Sequence, residues 1–119
     1  MARLRQWRVE CYIDATGEAP AEQFIKGLPP QTQAELLRAI RLLSEFGPAL
    51  REPHVAYLGQ GLWELRARSA ALIYCVQAGR RFVILHGYLR KGSAIPLHAM
   101  NTALEFQADL LGKAEEAHG

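Results

Sequence analysis

Basic side chains gather in one short stretch of this chain, Arg66, Arg68, Arg80, Arg81, Arg90 and Lys91, while acids gather elsewhere, as in Glu105, Asp109, Glu115 and Glu116. Alternation from Leu62 to Arg68 sets Trp63, Leu65 and Ala67 against Glu64, Arg66 and Arg68 along one strand. A second run, Phe82 to Leu89, ends at Arg90 and Lys91, and His86 and Tyr88 share a face with Arg90. If these two strands are neighbours, guanidinium, ammonium, imidazole and phenol groups converge. Such a set binds a phosphate and stabilises the extra charge of a phosphoryl transition state. It holds no second carboxylate and no cluster of acids fit for a metal. Its natural chemistry is metal-free RNA cleavage. A base takes the proton from a ribose 2′-hydroxyl, that oxygen attacks the adjacent phosphate, and an acid protonates the leaving oxygen.

Each of these residues also has a plainer reading. Arg and Lys on strand faces are more often solvated or paired, and Glu64 is a ready partner for Arg66 or Arg68. His86 lies in an apolar run, where histidine is more often a hydrogen-bonded core residue than a base, and Tyr88 is more often packing. His54 and His98 flank elements and read as surface. Gly59-Gln60-Gly61 is too short for a nucleotide-binding fingerprint and no helix follows it. Ser69 and Ser93 lack a nucleophile-elbow context, and the histidines and cysteines show no zinc spacing.

The elements that must carry these groups are legible from periodicity. Trp7, Val9, Cys11 and Ile13 alternate with Arg8, Glu10, Tyr12 and Asp14, a half-buried strand ended by Thr16-Gly17. Pro20 opens a short helix that Gly27 ends, and Pro30 opens a longer one that Gly47-Pro48 stops. The second carries an apolar stripe of Leu36, Ala39, Ile40, Leu43 and Phe46. Strands are expected at Val55 to Leu58, Leu62 to Arg68, Ala71 to Val76 and Phe82 to Leu89, with turns at Gly59-Gln60-Gly61 and Gly79-Arg80. The last of these is nearly all apolar, as a strand covered on both faces would be. After Arg90-Lys91-Gly92-Ser93, Pro96 opens a final helix to about Leu111, with Asn101, Glu105 and Asp109 on its wet side and Gly112 as its cap, so that 112–119 reads as a frayed tail. Strand, helix, helix, a run of strands, helix implies an α+β two-layer sandwich on a mostly antiparallel sheet.

The bulk properties fit one domain: 119 residues, of which 50% are hydrophobic. A formal charge of only +2 means that RNA must be held by a local cluster and not by an evenly basic surface. Cys11 and Cys75 are far apart and read as thiols in a reducing compartment. The segment Met-Ala-Arg-Leu-Arg-Gln-Trp has no apolar run suited to a signal peptide, and no stretch approaches the ~20 apolar residues of a membrane span. A soluble cytoplasmic protein without a membrane partner is expected.

The stretch Leu58-Gly59-Gln60-Gly61-Leu62-Trp63-Glu64-Leu65-Arg66 resembles a hallmark of the HigB-like, phage-derived branch of the RelE/ParE toxin superfamily. A second hallmark is Val83-Ile84-Leu85-His86-Gly87-Tyr88 followed by a basic pair and a later proline, here Arg90, Lys91 and Pro96. The helical hairpin before, the single helix after and Ala103 also match, so the resemblance runs from Trp7 to Leu111. It implies a RelE-like fold in a single domain and the toxin of a type II toxin–antitoxin module. It implies cleavage of mRNA on the ribosome without metal or cofactor, and a cognate antitoxin of helix-turn-helix type. Carried over onto this chain, the catalytic set is Arg66, Arg68 and Lys91 holding phosphate with Arg90, and His86 in proton transfer; the basic cluster and the strand face add Arg81 and Tyr88 as RNA- or phosphate-binding residues.

Three departures bear on activity. Ala71 and Cys75 stand where relatives often have an arginine, Gly92-Ser93-Ala94-Ile95 where they have a second lysine, and the final helix is acidic at Glu105 and Asp109. These losses of charge motivate two alternatives: a non-enzymatic, ParE-like gyrase inhibitor, or a degenerate toxin that mainly binds its antitoxin and co-represses the operon.

Overall fold

The computed structural model describes the backbone of residues 7–118 and the side chains of 7–113. The first six residues, read above as lacking a leader, and the side chains of Glu115 and Glu116 lie outside the described residues. In chain order the elements are β1 (Arg8–Cys11), α1 (Pro20–Lys26), α2 (Pro30–Phe46), β2 (Val55–Gly59), β3 (Leu62–Arg66), β4 (Ala70–Gln77), β5 (Arg81–Leu89) and α3 (Leu97–His118). The five strands form one sheet in the order β1-β5-β4-β3-β2. Only the β1–β5 pair is parallel among these neighbours. The fold is α+β with a mostly antiparallel sheet, as the element order implies.

Both sheet faces are covered. Leu65, Leu72, Tyr74, Phe82 and Ile84 pack with Ala21 and Ile25 of α1 and Leu36 and Leu43 of α2. Residues of the opposite parity, Leu62, Ala71, Ile73, Val83 and Leu85, pack with Ala99 and Ala103 of α3. The layers are therefore helices, sheet, helix, one more than the two expected, because α3 returns to the face that α1 and α2 leave bare. The same covering buries Tyr12 to 4% exposure on the supposed polar side of β1, whereas Ile13 beyond the strand is 55% exposed. Phe46, the last member of the expected stripe and the last residue of α2, is 54% exposed.

Local chemistry explains the helix boundaries. Pro20 and Pro30 sit in the first turns of α1 and α2, where no N–H is needed. Gly47 ends α2 at φ 54 and ψ −134, and a Cβ there would lie 2.6 Å from Cδ1 and Nε1 of the Trp7 indole. Only glycine meets both demands. At the other end of the chain, Gly112 does not cap α3, which continues to His118. Glycine in a helix interior costs only about 1 kcal/mol against alanine, and Lys113-Ala114-Glu115-Glu116-Ala117 are good helix formers.

β3 is shorter than the alternation suggests. It stops at Arg66, and the chain reverses through Ala67–Ser69, closed by the Ala67 N–H donating to the Ala70 carbonyl at 2.9 Å. A bulge interrupts the β4–β5 ladder: Ile73 pairs with His86 but Tyr74 pairs with Ile84, leaving Leu85 as the extra residue. Leu85 and His86 consequently both face α3, where His86 meets the Phe106 ring edge-on at 6.2 Å. Cys11 and Cys75 are free thiols. Among the described residues no helix is long and apolar enough to cross a membrane.

Candidate active site

The strands carrying Arg66 and Tyr88 are not neighbours, contrary to the simplest arrangement for convergence: β4 lies between them. Two sheet spacings separate them, about 10 Å. Register nonetheless aligns the groups in rows. Arg66 stands opposite Ala71, which stands opposite Tyr88; Glu64 stands opposite Ile73, which stands opposite His86. Ala71 is fully buried, and its single methyl leaves room above it. Across that gap the Tyr88 hydroxyl donates to Oε2 of Glu64. Arg66 Nε donates to Oε1 of the same carboxylate at 2.8 Å.

Glu64 is 4% exposed, and such burial is tolerated only because both oxygens are engaged. Burial, followed by the bond to Glu64, pushes the Tyr88 phenol well above its ordinary range. The Glu64 hydrogen bond raises Arg66 further above neutrality, against the opposing effect of burial. Reading the sequence names Glu64 only as a possible ion partner. The one signal of its burial is Leu62, an apolar residue two positions before it on the same face of the strand.

Beside this network, at the end of β5, lies a cleft of about 510 Å³ lined by His86, Tyr88, Lys91, Pro96, His98 and Thr102 among others. His86 is half-buried; burial, with the charge of His98 adding to it, lowers its pKa from the usual 6.5. A neutral imidazole is the form that accepts a proton. Lys91 is exposed and has no partner among the described residues. His98 is exposed as expected, yet it also faces this cleft with Thr102 from α3, which sequence spacing did not single out.

The remaining expected residues are dispersed. Arg68 lies in the turn after β3, exposed, and with Arg66 it lines a second cleft of about 310 Å³ that also holds Glu35, Arg38 and His54. Arg90 spends Nη1 on the Ala67 carbonyl at 2.7 Å, tying the end of β5 to the end of β3. Arg81 begins β5 and pairs with Glu10 at 3.2 Å. At about 3.3 Å per residue it stands roughly 20 Å from Tyr88 along the strand. Ala71 and Cys75, the positions of the absent arginine, are buried beneath α3 and face no solvent. Among the described residues no group of three His, Cys, Asp or Glu is placed to hold a metal ion.

A mostly antiparallel five-stranded sheet, in which a buried carboxylate bonds both Arg66 and Tyr88 beside a cleft lined by His86, Lys91 and His98, defines an α+β fold with a candidate site of cationic and aromatic groups. Residues 23–107, well over half of the chain, match the family described as Phage derived protein Gp49-like, and the chain belongs to that family. It is the phage-derived group expected from the Leu58–Arg66 and Val83–Tyr88 motifs. No curated protein matches. Among solved structures, the chain is similar to one in the toxin–antitoxin complex RelBE2 from Mycobacterium tuberculosis, with 22% identity over 73% of this chain and 94% of that chain and a TM-score of 0.46.

Proposed function

We propose that this chain is the toxin of a type II toxin–antitoxin module, cleaving mRNA on the ribosome without a metal and neutralised by a cognate helix-turn-helix antitoxin. The reading draws on membership of the phage-derived family and on the two sequence motifs. The observation that carries the chemistry is the single cleft that His86, Tyr88 and Lys91 all line. In this reading neutral His86 takes the 2′-hydroxyl proton, that oxygen attacks the scissile phosphate held by Lys91, the bond from phosphorus to the 5′-oxygen breaks with the leaving oxygen taking a proton from water, and Arg66 adds positive charge from β3. Arg68 contacts RNA backbone from the second cleft. Arg90 acts through the Ala67 carbonyl by holding the two strand ends together. Arg81 lies too far along β5 to touch the same phosphate.

The test is induced expression followed by primer extension on cellular RNA. Wild type is expected to arrest growth and to produce new RNA ends, and folded Lys91→Ala and His86→Ala variants to do neither. Growth arrest that persists unchanged in the folded double variant counts decisively against the nuclease. One observation favours a second, non-enzymatic reading, as gyrase inhibitor or as antitoxin-binding co-repressor: Arg66 is already bonded to Glu64. Growth arrest with DNA-damage signalling and no new RNA ends selects the first of these; absence of toxicity with tight antitoxin binding selects the second.

A further inference from the structure

Among the described residues Glu64 is the one charged side chain in the fully buried class. A carboxylate in that position carries a heavy desolvation penalty, and an apolar residue of the same size would serve the core at least as well. What the carboxylate adds is direction. Arg66 meets it through Nε alone; its two terminal amino groups make no hydrogen bond among the described residues, and beyond Glu64 the Glu52 carboxylate also acts on this guanidinium electrostatically. A guanidinium offers two edges for bidentate binding. With Nε taken, the edge formed by Nη1 and Nη2 remains, spaced to grip two oxygens of one phosphate. Tyr88 is constrained in the complementary sense. Its proton goes to Glu64, so its oxygen is left as an acceptor.

Position adds to this. Tyr88 lines the larger cleft with His86 and Lys91, and Arg66 lines the smaller one with Arg68 and Arg38. Glu64 joins them by bonding both Arg66 and Tyr88 over the small buried side chain of Ala71. We infer that Glu64 is the positioning residue of the site: it turns the outer edge of Arg66 toward an RNA phosphate and leaves the Tyr88 oxygen to accept a hydrogen bond from the neighbouring ribose. Glu64 touches neither group of the RNA itself. The inference rests on the nuclease reading.

Glu64→Gln tests it, because a single amide oxygen cannot accept from Arg66 and Tyr88 as two carboxylate oxygens do. Wild type, Glu64→Gln, Tyr88→Phe and the double variant are purified, melted to establish folding, and assayed for cleavage of ribosome-bound mRNA. A positioning role predicts that folded Glu64→Gln loses about tenfold or more in kcat/KM, carried mainly by kcat. It also predicts that the double variant is little worse than either single one. A folded Glu64→Gln enzyme that cuts as wild type does overturns the inference and leaves the nuclease standing. A wild type that cuts no RNA overturns the nuclease reading, and this inference with it. If Glu64→Gln does not fold, Tyr88→Phe decides, since it keeps the Glu64–Arg66 pair: an unchanged kcat overturns the inference, and a tenfold fall supports it.

Discussion

The ring of Phe24 in α1 occupies the space where a side chain on Gly87 would begin, and a Cβ at that position would also stand 3.0 Å from Cδ2 of Leu72. Gly87 separates His86 from Tyr88, so the backbone between two site residues is pressed directly against α1. Gly87→Ala is expected to destabilise the fold by about 1–3 kcal/mol through overpacking. Denaturant unfolding measures it, and Phe24→Leu in the same chain should recover part of the loss. An additive double variant would show that the Phe24 ring is not the cause.

Arg90 and Lys91 are adjacent but should fail differently. Arg90→Ala removes the bond to the Ala67 carbonyl and is expected to cost about 1–3 kcal/mol of stability. Lys91 is exposed without a partner, so Lys91→Ala should change stability by no more than about 0.5 kcal/mol while abolishing growth arrest. Urea melts paired with the growth assay distinguish the two. A toxic, fully folded Lys91→Ala variant would remove Lys91 from the site.

The lowered pKa of His86 has consequences for both activity and stability. As pH falls through 6.5, the ordinary value, the unfolded chain takes up the His86 proton while the folded chain still resists it. Stability therefore declines with falling pH below that point and levels off once folded His86 is protonated as well. If His86 is the base, the acid limb of the cleavage profile lies below 6.5, and His98→Gln moves it upward by removing the neighbouring charge. The pH profiles of wild type and His98→Gln measure this, and a limb indifferent to His98 argues for another base.

Ala71 makes the Glu64–Tyr88 contact possible by being small, and it is fully buried in the cluster that includes Ala99 and Ala103 of α3. Ala71→Val should cost about 1–3 kcal/mol and should lower cleavage beyond what the loss of folded protein explains. Melting curves and turnover per folded molecule check the two effects separately. Normal turnover in the folded fraction would mean that the space above Ala71 has no bearing on the site.

Sequence reading placed α1, α2, the four later strands with the turns at Gly59-Gln60-Gly61 and Gly79-Arg80, and the apolar character of β5 because those patterns are local. Proline at Pro20 and Pro30 and glycine at Gly47 act on their own backbone, alternation at Leu62–Arg66 records a pleat that any sheet would impose, and Ala70–Gln77 is rich in strand-forming residues. Where the reading ran too far, at Arg68 and Phe46, the limit was set by the turn into β4 and by the end of α2. Gly112 reads as a helix cap by residue type, but the helix-forming residues after it carry α3 onward.

Alternation along β3 and β5 was sufficient to put Glu64 with Arg66 on one face and His86 with Tyr88 on one face, since side-chain parity belongs to each strand alone. Which strands lie next to one another is a matter of pairing between distant segments, and no local pattern encodes it. Placing β4 between them, bulging the ladder at Leu85 and laying α3 over Ala71 are choices of packing made by the whole chain. Those choices, and not residue type, put Arg66 on Glu64, sent Arg81 to the far end of β5 beside Glu10, and gathered His86, Tyr88 and Lys91 around one cleft.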